Sequence, residues 1–147
     1  MLQKEKETLD ALLGGDVPVD LECVIDESKN PSFLQQIAIA YNWDDGFEIP
    51  KRITENECCD SGIDLTLFWL AEAMSYLTGE IEESEYNQDW VAFSQLMIQR
   101  IENAREEKSH TSFDPNLTRV QIYQLKKDGI SESFLNPIEG SEPIVTI

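Results

Sequence analysis

Three cysteines and one histidine are the residues of this sequence best suited to hold a transition metal or to supply a nucleophile and its base. Cys58 and Cys59 are adjacent, Cys23 is remote from both, and His110 lies in a polar segment. Zinc sites use spacings such as C-x-x-C or H-x-x-x-H, and neither occurs here. A Gly-x-Ser-x-Gly nucleophile motif and a phosphate-binding glycine loop are also missing from the sequence. We therefore expect no metal site, no cofactor and no nucleophilic catalysis.

Two neighbouring carboxylates, Asp44 and Asp45, lie in a turn that runs from Trp43 to Gly46. The aspartates can accept hydrogen bonds from backbone N–H groups, and the glycine can adopt positive φ. The turn is thus explained as the end of a helix, held by the aromatic side chains of Trp43 and Phe47. The functional alternative is that these two carboxylates and that of Glu48 face a cation or a partner's Arg or Lys. The later ligand positions of a calcium-binding EF-hand loop are missing.

Acidic residues outnumber basic ones by 29 to 11, which gives a net charge of −18. They are unevenly distributed, because the segment from Ile53 to Gln99 contains ten acids and no Lys, Arg or His. Such a field repels nucleic acid and anionic membranes and attracts cationic surfaces. The pattern does not select one pair of carboxylates for hydrolysis. We expect a binding protein and not an enzyme, although acidity that serves only solubility is an alternative.

The elements that position these residues are predicted to be helices arranged around one apolar segment, Ser61–Thr78. Its apolar side chains cover more than half of the helical circumference, Asp60 or Ser61 can cap its beginning, and Gly79 suits its end. Amphipathic patterns and caps predict further helices over Leu2–Leu13, Val17–Ser28 (with Pro18 at its first helical position), Asn30–Asn42 and Asn87–Glu107, with one or two helical turns in Phe47–Asn56.

Phe68 is predicted to lie in the polar strip of the central helix, between Asp64 and Glu72. An exposed Phe68 surrounded by carboxylates would have the composition of an interface hot spot for a basic partner. Alternatively, the acidic connector Glu80–Tyr86 folds back and covers it. The predicted partner-binding residues are Asp64, Phe68, Glu72, Glu80, Glu82, Glu83, Glu85 and Asp89.

The C-terminal part leaves two interpretations open. Thr118–Leu125 is rich in β-branched and aromatic residues and is followed by Asp128-Gly129, a common hairpin dipeptide, so a helix and a hairpin with Ile130–Leu135 are both compatible. Ile144–Ile147 is compatible with a terminal strand, and the structure of residues 130–147 stays open. Overall we expect one mainly α domain over residues 1–147, a helical bundle or short helical array, with or without a small C-terminal β-hairpin.

The segment Tyr41–Pro50, followed by Cys59-Asp60 with Gly62 and by the apolar Leu67–Ala71, resembles a family of small uncharacterised bacterial domains. The signature of that family is an Asn-Trp-Asp-Asp-Gly turn leading to a Cys-Asp pair and an apolar helix. The resemblance covers Pro31–Gly79 and brings no established activity. It implies a bacterial, cytoplasmic and mostly helical protein, and some small acidic proteins of this kind are immunity partners of secreted toxins.

Three hypotheses about function follow. The first is an acidic immunity protein or inhibitor that neutralises a basic bacterial toxin by occluding its active site. The second is a housekeeping interaction or scaffold module whose acidity only maintains solubility. The third is a hydrolase or metal-dependent enzyme, such as a metal-dependent hydrolase, that uses Asp44, Asp45 or Asp60. The sequence has no apolar run long enough for a membrane span and no apolar signal-peptide core at Leu2–Leu13, so a cytoplasmic location with reduced thiols is expected.

Overall fold

Helices account for most of the chain in the computed structural model, which describes residues 1–104 and 108–145. The helices are α1 (Gln3–Leu13), α2 (Leu21–Glu27), α3 (Pro31–Ala40), α4 (Glu48–Glu55), α5 (Ser61–Leu70), α6 (Ala73–Leu77), α7 (Gln88–Glu102) and α8 (Arg119–Lys127). Two-residue strands, β1 (Ser112–Phe113) and β2 (Ile144–Val145), pair in parallel. The predicted mainly α, single-domain fold is confirmed.

Local capping explains where α3 begins. The side chain of Asn30 accepts hydrogen bonds from the backbone N–H groups of Ser32 and Phe33, and Pro31 occupies the first turn, as predicted. Helix α2 shows the opposite outcome, because it begins at Leu21 after Asp20 and leaves Pro18 outside the helix. The prediction that Pro18 starts this helix is therefore wrong.

The predicted central helix is interrupted. Helix α5 ends at Leu70, and Glu72 adopts a left-handed conformation with φ of 57° before α6 begins. The carbonyl oxygen of Ala71, freed from helical hydrogen bonding, accepts a 2.8 Å hydrogen bond from the indole nitrogen of Trp90 on α7. The prediction of one helix through Thr78 is therefore wrong. The sequence pattern did not show the interruption because Trp90 lies 19 residues along the chain from Ala71.

Replacing Glu72 with glycine should stabilise the protein, because glycine adopts positive φ without the steric penalty of a side chain. We expect the free energy of unfolding to rise by about 0.5–1 kcal/mol, which corresponds to about 1–4 °C in Tm. Thermal unfolding followed by circular dichroism measures the change. Glu72→Ala is the matched control, since it removes the same charge and keeps the strained conformation. Equal Tm values for the two variants would contradict the strain at this position.

The C-terminal part forms a helix and not a hairpin. Thr118 and Gln121 cap α8 reciprocally, with Thr118 Oγ1 accepting from the Gln121 backbone at 3.1 Å and Gln121 Oε1 accepting from the Thr118 backbone at 2.8 Å. Gly129, with φ of 89°, follows the helix and not a hairpin turn. The predicted terminal strand is present at Ile144–Val145, while residues 146–147 and residues 105–107 of the predicted Asn87–Glu107 helix lie outside the described residues.

The core is built around α5, which packs against α3, α6, α7 and β1. Every residue of α5 from Gly62 to Phe68 is buried. The largest fully buried side chains come from several elements: Ile25, Phe33, Leu34, Ile37, Ile53, Ile63, Leu65, Leu67, Phe68, Met97, Phe113 and Phe134. Within residues 1–104 and 108–145, none of the helices has the length and apolarity that crossing a membrane requires.

Candidate functional site

Phe68 lies inside the core and not on the surface. Its ring centroid is 5.0 Å from that of Phe134 and 5.8 Å from that of Trp69. The Trp69 indole also donates a 3.0 Å hydrogen bond to the backbone oxygen of Phe134. The prediction of an exposed aromatic anchor at Phe68 is therefore wrong, and the residue that covers it is Phe134, not the connector Glu80–Tyr86.

Asp64 is also removed from the candidate surface, because it is buried and forms an ion pair with α7. Its Oδ1 atom lies 2.8 Å from Arg100 Nε and 3.4 Å from the Sγ atom of Cys59. Burial raises the pKa of Asp64, and Arg100 counteracts part of that effect. Burial, together with the negative charge of Asp64, raises the pKa of the Cys59 thiol well above its usual value. A thiol kept protonated is a poor nucleophile, so this cluster supports structure and not covalent chemistry.

A cavity of about 600 Å³ lies beside this cluster, between the loop before α5 and the end of α7. The side chains that line it include the buried ion pair of Asp64 and Arg100 and two exposed acids, Glu55 and Glu57. Arg100, the half-buried cation of this lining, is already paired with the carboxylate of Asp64 at 2.8 Å. The four carboxylates of the lining outnumber its two cations, Arg100 and Lys108, so the wall carries a net negative charge and does not favour an anionic ligand.

Replacing Arg100 with methionine should destabilise the protein in a pH-dependent way. At neutral pH the variant leaves Asp64 ionised, buried and unpaired, and because Arg100 is itself partly exposed we expect a loss of about 2 kcal/mol. When folding raises the pKa of a carboxyl, the protein loses stability as the pH rises from the ordinary pKa of that group to the raised one. Without Arg100 that raised pKa moves higher still, so the loss should shrink at mildly acidic pH.

Urea unfolding of both proteins at neutral and mildly acidic pH measures this difference. Arg119→Met on α8 is the control, because it removes an equal charge from an exposed position. A stability deficit that does not change with pH would show that Asp64 is not the group responsible.

Asp60 connects α5 to the segment after α7. Its Oδ1 atom caps the helix by accepting from the backbone of Ile63 at 3.1 Å. The same carboxylate accepts from the backbone N–H groups of His110 and Thr111, both at 3.0 Å, and from the Thr111 hydroxyl. A Cβ atom at Gly62 would overlap Thr111, so this contact requires glycine. The sequence identified Asp60 as a cap, as part of the Cys-Asp pair and as a candidate acid, but not as this link, because His110 lies 50 residues away.

The turn Trp43–Gly46 has a structural explanation as well. Asn42 Oδ1, and not either aspartate, accepts the hydrogen bond from the Asp44 backbone at 3.1 Å. The Trp43 indole donates to the carbonyl oxygen of Ala38, which belongs to α3, at 3.0 Å. Asp44 and Asp45 are exposed, and the residues that the structure describes contain no group of three or more potential ligands arranged for a metal ion. This geometry does not support the metal-dependent hydrolase.

The remaining predicted partner-binding carboxylates lie at the two ends of α6 and at the start of α7. All six are exposed, and within the described parts of the chain none of them forms an ion pair. We refer to them as the acidic surface: Glu72, Glu80, Glu82, Glu83, Glu85 and Asp89.

Asn87 fixes the loop that carries most of the acidic surface. Its Oδ1 atom accepts from the Ser84 backbone at 2.8 Å, and its Nδ2 atom donates to the Glu82 carbonyl oxygen at 2.9 Å. Two apolar side chains are exposed on this loop, with Tyr86 at 90% and Ile81 at 45% of their full accessibility. These two hydrogen bonds hold the backbone of the loop in place, which reduces the backbone entropy lost on binding.

A groove of about 600 Å³ lies between this loop, α6 and α7. Leu77, Ile81 and Ile98 supply its apolar lining. Its acidic lining residues are Glu82, Glu83 and Glu102. The sequence contained one signal of this groove, the isolated isoleucine within the acidic connector, but the contribution of α7 depends on tertiary packing.

Comparison with known proteins gives one match. No curated protein and no solved structure matches the chain. The model of the domain of unknown function DUF4274 matches residues 29–102, which is half of the chain. The match includes the turn Trp43–Gly46, helix α5 and the acidic surface, and it ends before β1 and α8. The chain therefore belongs to the DUF4274 family.

Proposed function

We propose that this protein is a non-enzymatic binding module whose acidic surface recognises a cationic surface on another protein. The observation that carries the proposal is that the six exposed carboxylates of this surface are not neutralised by any described Lys or Arg of the chain. Uncompensated charges of one sign attract an oppositely charged partner and accelerate its association. The buried Asp64 and Phe68 are not part of this surface.

In its most specific form, the proposal is an immunity protein or inhibitor that neutralises a basic bacterial toxin. The carboxylates would occupy the positions of a substrate's negative charges, and the bound module would block access to the active site. Tyr86 replaces Phe68 as the aromatic anchor of the interface, because Tyr86 is 90% exposed among Glu82, Glu83 and Glu85. Tyrosine is enriched among the residues that contribute most to protein–protein binding.

Affinity capture from the native host tests the proposal. One variant carries glutamine at Glu80, Glu82, Glu83 and Glu85. The control variant has the same net charge and carries amides at four exposed acids elsewhere, namely Glu7, Asp10, Asp16 and Glu27. We expect the unaltered protein and the control to recover the same basic protein at physiological salt. The first variant should lose it, as should the unaltered protein at high salt.

Equal recovery by both variants would instead favour a module whose acidity serves only solubility. A captured partner with toxic activity allows the specific form of the proposal to be tested. The activity should be inhibited by the unaltered protein at equimolar concentration and should return when the four loop carboxylates are neutralised. An inhibitor that is insensitive to these four changes would disprove occlusion through the acidic surface.

A further inference from the structure

We infer that the groove between α6, the loop of the acidic surface and α7 receives one bulky apolar side chain from the cationic partner. In the partner's sequence, lysines or arginines flank this apolar residue on both sides. This inference rests on the proposed function and adds the chemistry of the bound segment. A purely electrostatic surface would need only carboxylates, whereas this one also contains a depression lined by the apolar side chains of Leu77, Ile81 and Ile98.

The apolar lining is held in place by the surrounding structure. Ile81 is fixed to the end of α6, because its backbone N–H donates to the carbonyl oxygen of Ser75 at 3.1 Å. Leu77 and Ile98 pack against the hydrophobic core below the groove. On the α6 side, the Tyr76 hydroxyl accepts a 2.8 Å hydrogen bond from Gln95 of α7. An apolar side chain that enters the groove therefore meets a preformed surface and removes part of the exposed Ile81 from water.

The charges around the lining select a cationic occupant. Glu82 and Glu83 lie on the loop, Glu102 lies on α7, and none of the three forms an ion pair with another described residue. A segment with Lys or Arg on both sides of an apolar residue satisfies both features of the groove.

A second copy of this chain is a poorer occupant. Each copy carries a net charge of −18, so two copies repel each other. Helix α8 carries exposed Val120 and Tyr123 together with the cations Arg119, Lys126 and Lys127, so it is the segment of a second copy considered for the groove. Of these cations, Lys126 already forms an ion pair with Glu132 at 2.7 Å.

Two short peptides with blocked ends test the inference. They have the same length and the same number of lysines and differ only in a central leucine or a central serine. Isothermal titration should show the leucine peptide binding about 10-fold more tightly to the unaltered protein, since a partly buried leucine accounts for a factor of this size. In the Ile81→Ser variant this ratio should fall below about 2-fold, with little change in the affinity of the serine peptide. Val120→Ser on α8 is the matched control and should keep the ratio.

The outcomes separate the inference from the proposed function. A ratio near one on the unaltered protein overturns the apolar groove. The proposed function then survives if both peptides bind and lose affinity when Glu80, Glu82, Glu83 and Glu85 are changed to glutamine. If neither peptide binds at low salt, the inference and the proposed function are both overturned. Sedimentation of the protein without peptide tests whether a second copy occupies the groove. Self-association that is lost in both Ile81→Ser and Tyr123→Ser would assign the groove to a second copy and overturn the inference.

Discussion

Replacing Phe68 with alanine should lower the free energy of unfolding by about 3–5 kcal/mol, the range measured when a buried phenylalanine is truncated and leaves a cavity. The side chain is fully buried and packs against Trp69 and Phe134. Because the total stability of a domain is about 5–15 kcal/mol, the variant should be near the limit of folding. Urea unfolding followed by tryptophan fluorescence measures the loss, and Trp69 is adjacent to the cavity.

Tyr86→Ala is the control for this prediction, since it truncates an aromatic side chain of similar size that is 90% exposed. We expect its stability to stay within about 0.5 kcal/mol of the unaltered protein. In the capture experiment, Tyr86→Ala should weaken partner recovery although the protein is fully folded. A stable Phe68→Ala variant would refute the packing of Phe68 against Phe134.

Asp60→Ala should cost about 3 kcal/mol, because it removes a helix cap and leaves the backbone N–H groups of His110 and Thr111 without their acceptor. The loss should be greatest in the segment that Asp60 holds. Limited proteolysis is therefore expected to cleave the variant near residues 109–113, where the unaltered protein is protected. Asp44→Ala, which removes an exposed carboxylate from the turn, should leave both the cleavage pattern and the unfolding curve unchanged.

A double-mutant cycle with Thr111→Val isolates the side-chain contact between Asp60 and Thr111. Residues joined by a direct hydrogen bond are expected to show non-additive effects of about 1 kcal/mol. Additive losses would mean that Asp60 acts only as the cap of α5.

Local signals explain the parts of the fold that the sequence predicted correctly. Asn30 and Pro31 mark the beginning of α3 by hydrogen bonds and backbone geometry that involve only their neighbours. The apolar segment after Ser61 forms the core helix because its composition requires burial from nearly all sides. The hairpin alternative for Thr118–Leu125 failed because the reciprocal cap between Thr118 and Gln121 favours a helix, a signal that β-branched composition had obscured.

Long-range contacts explain what the sequence did not predict. Phe68 lies on the strip that periodicity marks as polar, and its burial involves Phe134, which lies far along the chain and packs against it. The interruption at Ala71 depends in the same way on Trp90. Among the predicted partner-binding residues, the loop acids are exposed as expected, whereas Asp64 is buried because Arg100 supplies a partner. Helical periodicity contains no information about such distant pairs.

The contact between Phe68 and Phe134 has a consequence for how the family domain can be handled in isolation. The DUF4274 match ends at residue 102, so a fragment trimmed to that boundary would lack Phe134 and Leu135. Its aromatic face around Phe68 would then be open to water, and large open apolar faces promote aggregation. A shortened protein should therefore extend at least to Leu135.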